Sequence, residues 1–390
     1  MVSLRLALRN ILGAGLRTWL NVIVLSFSFV VIIWHKGLLD GWDRQAIHDM
    51  IEWEIAGGQY WVNEYDPYDP FSISESHAPM PEELDALIRQ GEITPLLYTM
   101  GTIYPNGRMQ SILIKGIEPG QEIIAVPSNL LQSGPDEIPA IIGTGMASST
   151  GLKEGSFVTL RWRDKNGAFD AAQVKITGIF KTNVPSVDAS QIWLPIDKLR
   201  DMMLLPDEAT ILICRDEELG TYSTSRWDFK EQDELMVDLK QIIRSKSMAG
   251  LFIWAILLMV AMLAIFDTQV LSIFRRQREI GTYVALGMTR RQVVTLFTFE
   301  GAMHAVFATV LGAAYGLPLL AMQAKRGINL PVSSEDYGLT MAEKLYPVYS
   351  LGLILGTVIV VVIVTTLVSY WPSRKIARMN PTEALRGRWQ

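Results

Sequence analysis

Residues 275–293 read RRQREIGTYVALGMTRRQV. The string predicts a helix, a stop and a restart. Ile280, Val284 and Leu286 can give a short apolar face beside the arginines. Gly287 suits the left-handed position that follows a helix C-terminus. Thr289, with Gln292 three residues on, fits a capping box opening a second helix. Long apolar runs flank the string. Residues 247–274 precede it with Asp267 as their one charge, and residues 293–324 follow it, interrupted by Glu300 and His304. A polar elbow between two runs long enough to cross a bilayer makes this a membrane protein.

Two more runs complete the set. Residues 19–34 carry no charge between Arg17 and His35, and residues 345–373 carry none at all. No small-x-small cleavage site follows the first run, where the sequence is Trp34-His35-Lys36-Gly37-Leu38, so an uncleaved anchor is expected. Trp19, Trp34, Trp254, Tyr346 and Trp371 lie near run ends, where interfacial aromatics belong. The 32-residue third run implies a tilted or protruding helix.

Charge sets the expected orientation. Residues 1–18, 275–291 and 372–390 together hold 13 basic and 2 acidic side chains, whereas residues 35–246 hold 19 basic and 33 acidic ones. Basic short segments stay in the cytoplasm. Both termini are therefore expected inside and residues 36–246 outside, although Lys36, Arg244 and Lys246 work against the bias. The expected organisation is a cytoplasmic amphipathic helix (1–18), a first span (19–35), an extracytoplasmic domain (36–246), a second span (247–274), the elbow (275–291), a third span (292–324), a short outer loop (325–344), a fourth span (345–372) and a cytoplasmic tail (373–390). The fold class is thus a four-helix membrane protein with a large mixed α/β extracytoplasmic domain inserted between helices 1 and 2.

That domain reads as hung from two helical stalks. Leu39, Trp42, Ala46, Met50 and Trp53 recur at helical spacing, and Leu235, Leu239 and Ile242 do so within a second stalk over 228–246. Between them, 81–90 and 196–203 predict short helices. Val158, Leu160 and Trp162 alternate as a strand, and Val174 and Ile176 follow Asn166-Gly167, a type I′ hairpin signal. The acidic-aromatic stretch YWVNEYDPYDPF, residues 60–71, reads as a surface loop or a lip facing a partner.

Chemistry is sparse. Cys214 is the single cysteine, so an internal disulfide is excluded. There is no His-Glu-x-x-His, Gly-x-Ser-x-Gly or Walker A string, and His48 and His77 stand alone. No catalytic, cofactor or metal site is expected. Glu300 and His304 share a helix face inside a span, which admits a proton relay or, more plainly, a bond from Glu300 to a neighbouring helix. Gly312 and Gly316 form a small-xxx-small pair for close helix packing within the subunit, with a dimer interface as the other reading.

EIGTYVALGMTRRQV closely resembles the coupling segment of the MacB/LolC/LolE/FtsX permeases of ABC transporters, the type VII fold. The matching positions are Arg278, Glu279, Ile280, Gly281, Ala285, Leu286, Gly287, Arg291 and Val293. LRLALRNILGAGLRTWLNVIV resembles the family's N-terminal helix and first span. FTFEGAMHAVFATVLGAAYG resembles its third span, glutamate included. SYWPSRKIARMNPTEALRG resembles its C-terminus at Pro372, Ala377, Pro381, Glu383, Ala384, Leu385 and Arg386. The stretch over 138–203 resembles the outer domain of LolC, LolE and MacB more loosely. Asp267 departs from the asparagine that relatives often carry there.

The resemblance implies a non-enzymatic permease of the cell inner membrane. The elbow would dock in a groove on a separate cytoplasmic ABC ATPase, which holds the ATP and Mg²⁺. A second permease copy or paralogue, a periplasmic carrier or adaptor protein, and lipid or lipoprotein cargo are the implied partners, with no nucleic acid. The function so implied is mechanotransmission for lipoprotein or amphiphile transport. MacB-like efflux of drugs or toxins, and FtsX-like control of a cell-wall hydrolase without transport, are the alternatives.

Overall fold

The computed structural model describes residues 16–132, 137–222, 225–329 and 344–376. It divides into two compact units, one of residues 1–43, 243–328 and 345–390, the other of 44–242 and 329–344.

The first unit is helical. Its long helices are α1 (Leu16–Met50), α3 (Val237–Arg275), α5 (Arg290–Arg326) and α6 (Leu351–Ile376), with the short α4 (Gln277–Ala285) between α3 and α5. The helix α2 (Ile196–Met203) belongs to the other unit. Among the described residues, four helices are long and apolar enough to cross a membrane. At ~1.5 Å per residue, α5 exceeds the ~30 Å of a hydrocarbon core.

One cluster takes residues from all four: Val22, Leu25 and Phe29 of α1, Leu258 of α3, Ala305 and Ala308 of α5, and Val361 of α6. The opposite faces of α3 and α6 leave Phe252, Met259, Leu263, Leu355, Ile359 and Leu367 exposed. Apolar side chains both inside and outside a bundle are what lipid, rather than water, requires.

Several boundaries differ from the sequence reading. Residues 227–230 form a strand, so the second stalk begins later than 228; Ile242 there is exposed rather than part of a packed stripe. The last long helix starts at Leu351, after the irregular Tyr346–Ser350: Pro347 disfavours a helical Tyr346, and Ser350 Oγ accepts from the Leu353 N–H at 3.1 Å. Residues 1–15 and 377–390, and 330–343 of the short outer loop, lie outside the described residues. With them go Ala377, Pro381, Glu383, Ala384, Leu385 and Arg386 of the C-terminal motif.

The second unit is built on a nine-stranded sheet. Its strands are β1 (Gly58–Val62), β2 (Ile93–Ile103), β3 (Gln110–Ile117), β4 (Ile138–Gly143), β5 (Phe157–Arg163), β6 (Phe169–Phe180), β7 (Gln191–Pro195), β8 (Ile211–Cys214) and β9 (Trp227–Lys230). The order is β9-β1-β8-β2-β3-β7-β4-β6-β5, and β5 pairs back onto β2. That last pairing, Gly101 opposite Trp162 and Ile103 opposite Leu160, closes six strands into a ring. Space is tight at this seam: a Cβ at residue 101 would sit 3.0 Å from the Arg161 carbonyl oxygen of β5 and 2.4 Å from Ile114 Cδ1.

Alternate side chains fill the ring, including Ile103, Ile112, Ile114, Leu160, Trp162, Val174 and Ile192, and α2 packs against them through Leu199 and Met203. The predicted alternation of 158, 160 and 162 is thus the inward face of β5. The opposite sheet face carries Leu96, Tyr98, Ile117, Trp193, Ile211 and Ile213, covered by segments such as Val184 and Val187.

The hairpin between β5 and β6 is present, but its turn is not type I′, which would need a positive φ at Asn166 as well as at Gly167. Gly167 alone has it, at 82°. Asp164 Oδ1 accepts from the N–H groups of Asn166 and Ala168 and holds a longer loop instead. The predicted helix over 81–90 is a 3₁₀ turn (Glu82–Leu84) running into Asp85–Arg89. The stretch 60–71 is split. Tyr60 and Val62 are core residues of β1, while Tyr68 and Phe71 are exposed.

Candidate functional site: the elbow between the second and third long helices

Arg276 breaks the helix between α3 and α4, with φ −97° and ψ 17°. The nine-residue α4 then ends on a two-bond cap. Gly287, at φ 96°, donates its N–H to the Val284 carbonyl at 3.0 Å, and Met288 donates to the Tyr283 carbonyl at 3.0 Å. This is the Schellman arrangement, which needs a left-handed residue and so selects glycine. Two residues on, Gln292 N–H donates to Thr289 Oγ1 at 3.4 Å and Thr289 N–H donates to Gln292 Oε1 at 2.8 Å. The capping box expected from sequence therefore opens α5.

Packing fixes the elbow onto the start of α5. Ile280 is buried with Val293 and Phe297, and Val284 and Met288 pack against them. Leu286, expected on that same apolar face, is instead 79% exposed. It lies beyond the last helical turn, where the chain has already swung away from the axis. Glu279, Ala285, Gly287 and Arg291 are exposed with it, and Gly281 is buried. The side chain of Arg278 lies outside the described residues.

A charged brace joins the elbow to α5. Glu300 is 6% exposed, and both its oxygens accept from Arg276 Nη1, at 2.8 and 2.9 Å. Arg276 Nε donates to Glu279 Oε2 at 2.7 Å, and its guanidinium lies 5.1 Å above the Phe297 ring. Nε and Nη1 of one planar fork thus engage two different carboxylates, an arrangement a lysine could not match. His304 Nδ1 lies 2.7 Å from the Glu300 backbone carbonyl, to which it can only donate. The two side chains share a face, but the imidazole addresses the main chain and not the carboxylate.

Arg276 was hidden from sequence reading among Arg275–Arg278, a cluster that passes for stop-transfer charge. The i, i+3 spacing to Glu279 was the available signal; the contact to Glu300, 24 residues away, had none. Asp267 is exposed on α3 and makes no ion pair among the described residues. Gly312 and Gly316 face α1: a Cβ would lie 3.3 Å from the Ser26 carbonyl oxygen and 2.5 Å from Val30 Cγ2, respectively.

Residues 251–381, which include the elbow, the brace and both glycines, match the family described as FtsX-like permease C-terminal. The lipoprotein-releasing system transmembrane protein LolC of Neisseria meningitidis serogroup B is 22% identical over 317 residues, covering 72% of this chain and 74% of LolC. The macrolide export ATP-binding/permease protein MacB of Rhodopirellula baltica is 27% identical over 146 residues, covering 37% of this chain and 19% of MacB. The chain carries an FtsX-like permease domain and is similar to permeases of the MacB/LolC/FtsX type.

An uncharacterised ABC transporter permease of Methanocaldococcus jannaschii is 29% identical over 140 residues, 34% of this permease and 31% of the archaeal protein. The permease thus spans about a third of that relative and a fifth of MacB, but most of LolC.

Proposed function

We propose that this permease is the membrane subunit of an ATP-driven transporter and that its elbow receives force from a separate cytoplasmic ABC ATPase. The observation that carries this reading is a short helix closed by a Schellman cap at its C-terminus, braced through Arg276 to Glu300, and followed by Leu286 presented to solvent. A handle must be stiff toward its own helices and sticky toward a partner, and the elbow is both.

The basic character of 1–18, 275–291 and 372–390 supports a cytoplasmic elbow and an extracytoplasmic β-sheet unit. The chain passes between the two units within α1 and near the start of α3, which supports helices as the route of the stroke. A second permease copy or paralogue completes the assembly. The match to LolC over most of both chains, against a fifth of MacB, favours lipoprotein or another amphiphile as cargo, handed to a periplasmic carrier.

Leu286→Asp tests the docking. Burying a leucine at an interface is worth about 1.5–3 kcal/mol, so its loss should cut ATPase co-purification by about tenfold or more. Met109→Asp, at an exposed site in the sheet unit, should leave it unchanged. Equal recovery of the ATPase with Leu286→Asp and with the unmodified permease would overturn the assignment. Identification of what ATP releases from the purified complex tests the cargo.

A further inference from the structure

A cleft of about 990 Å³ opens on the sheet face opposite the ring interior. Its floor holds a lysine. Lys115 is 2% exposed, with Nζ 4.6 Å from the centroid of Tyr98 and 5.0 Å from that of Trp193. The placement follows from register: Tyr98 and Trp193 are the residues directly paired with Lys115 on β2 and β7. Glu54 stands over it, with Oε1 3.6 Å from Nζ and Oε2 accepting from Ser186 Oγ at 2.9 Å. Glu54 comes from a π-helical turn, Ile51–Ile55, that ends α1.

Two features remain after that internal pair is satisfied. First, the lining is acidic. Glu54, Asp66, Asp228, Glu234 and Asp238 face Lys115 and Lys230. Lys230 is taken up by Asp228 at 2.8 Å and Glu234 at 2.9 Å. Asp66 and Asp238 accept hydrogen bonds from Tyr68 but have no cationic partner among the described residues. Second, Gln191 lines the cleft at 6% exposure, and its Oε1 is buried without a hydrogen-bond partner. A buried acceptor with nothing to accept from calls for a donor supplied from elsewhere.

The walls fit the same kind of visitor. Trp61 and Tyr65 meet edge to face at 5.0 Å, and Tyr65 continues to Tyr98 at 6.0 Å. Ring faces, unpaired carboxylates and an orphan acceptor all favour a cation rich in N–H donors. The lysine already sandwiched at the floor demonstrates the chemistry with the protein's own side chain.

We infer that this cleft binds an ammonium or guanidinium group on an aliphatic stem. Such a group occurs on lysine or arginine side chains of an extended polypeptide and on free polyamines. Its walls include Glu54, just past the end of α1, and Asp238, in the first turn of α3. A bound cation therefore touches the ends of both helices that lead out of the sheet unit. The inference is independent of ATPase docking at the elbow.

The test is calorimetric titration of the full chain in nonionic micelles with tetralysine, spermidine and tetraglutamate. At least one cation should bind, tetraglutamate should not, and added salt should weaken the binding. Asp66→Asn/Asp238→Asn should weaken it about tenfold, Gln191→Leu should also weaken it, and Gln191→Glu should tighten it. Tighter binding of tetralysine assigns the site to a polypeptide, and tighter binding of spermidine to a free amine. Should Gln191→Leu fail to fold, the exposed aspartate pair still decides. The inference is overturned if neither cation binds at millimolar concentration. It is equally overturned if the aspartate pair behaves like unmodified protein, or if Glu82→Gln/Glu83→Gln, outside the cleft, weakens binding as much.

Discussion

At the scale of single residues the brace between Arg276 and Glu300 is the most exposed to test. Glu300 is buried in a span, so removing its cation leaves a charge with neither water nor partner, at a cost of about 3–5 kcal/mol. Arg276→Ala should therefore lower the melting temperature of the purified protein well below that of Glu300→Gln. The amide keeps the shape and gives up the charge, while Arg276 retains Glu279. The double variant should be no worse than Arg276→Ala alone, because its carboxylate is already gone. Additive losses would mean that the two side chains act separately. Half of this pair was legible. A carboxylate inside an apolar run announces itself, whereas one arginine among three near-neighbours does not. Lys115 was illegible for a related reason: nothing in its neighbours says that a lysine lies under two aromatic rings, since those rings arrive from residues 98 and 193.

Secondary elements were read best where the signal is local. The stop at Gly287 and the restart at Thr289 each depend on a handful of adjacent residues, and both are present. The β5–β6 turn failed because Asn-Gly competes with an aspartate two residues earlier that captures two N–H groups. Ring closure by β2 and β5 was out of reach, since it joins residues about 60 positions apart. The spacing of Gly312 and Gly316 is local, but its partner, α1, is not. That contact carries its own prediction. Gly316→Leu drives a side chain into Val30, and overpacking of this kind costs about 1–3 kcal/mol. Gly312→Ala meets the Ser26 carbonyl at 3.3 Å and needs a shift of only tenths of an ångström. Thermal unfolding in micelles should place Gly316→Leu clearly below Gly312→Ala, which should lie near the unmodified protein. The reverse order would remove close packing of α1 on α5.

For the whole molecule, the proposed four crossings and the one-sided charge bias predict that the elbow and the hairpin loop at Asn166 face opposite compartments. The protein carries its own clean background for the measurement. Cys214 is fully buried in β8, and burial pushes its thiol up to about 12. The thiolate is the reactive form, so at neutral pH the native cysteine should resist maleimide. Single cysteines can then be introduced at two exposed positions, Leu286→Cys and Asn166→Cys, without altering the core. In cells whose outer membrane has been permeabilised, an impermeant maleimide should label Asn166→Cys and spare Leu286→Cys. Inside-out vesicles should give the opposite result. Unmodified protein should label in neither until denatured. Labelling of both positions from one side would place elbow and sheet unit in the same compartment. A stroke delivered at the elbow would then have no membrane to cross.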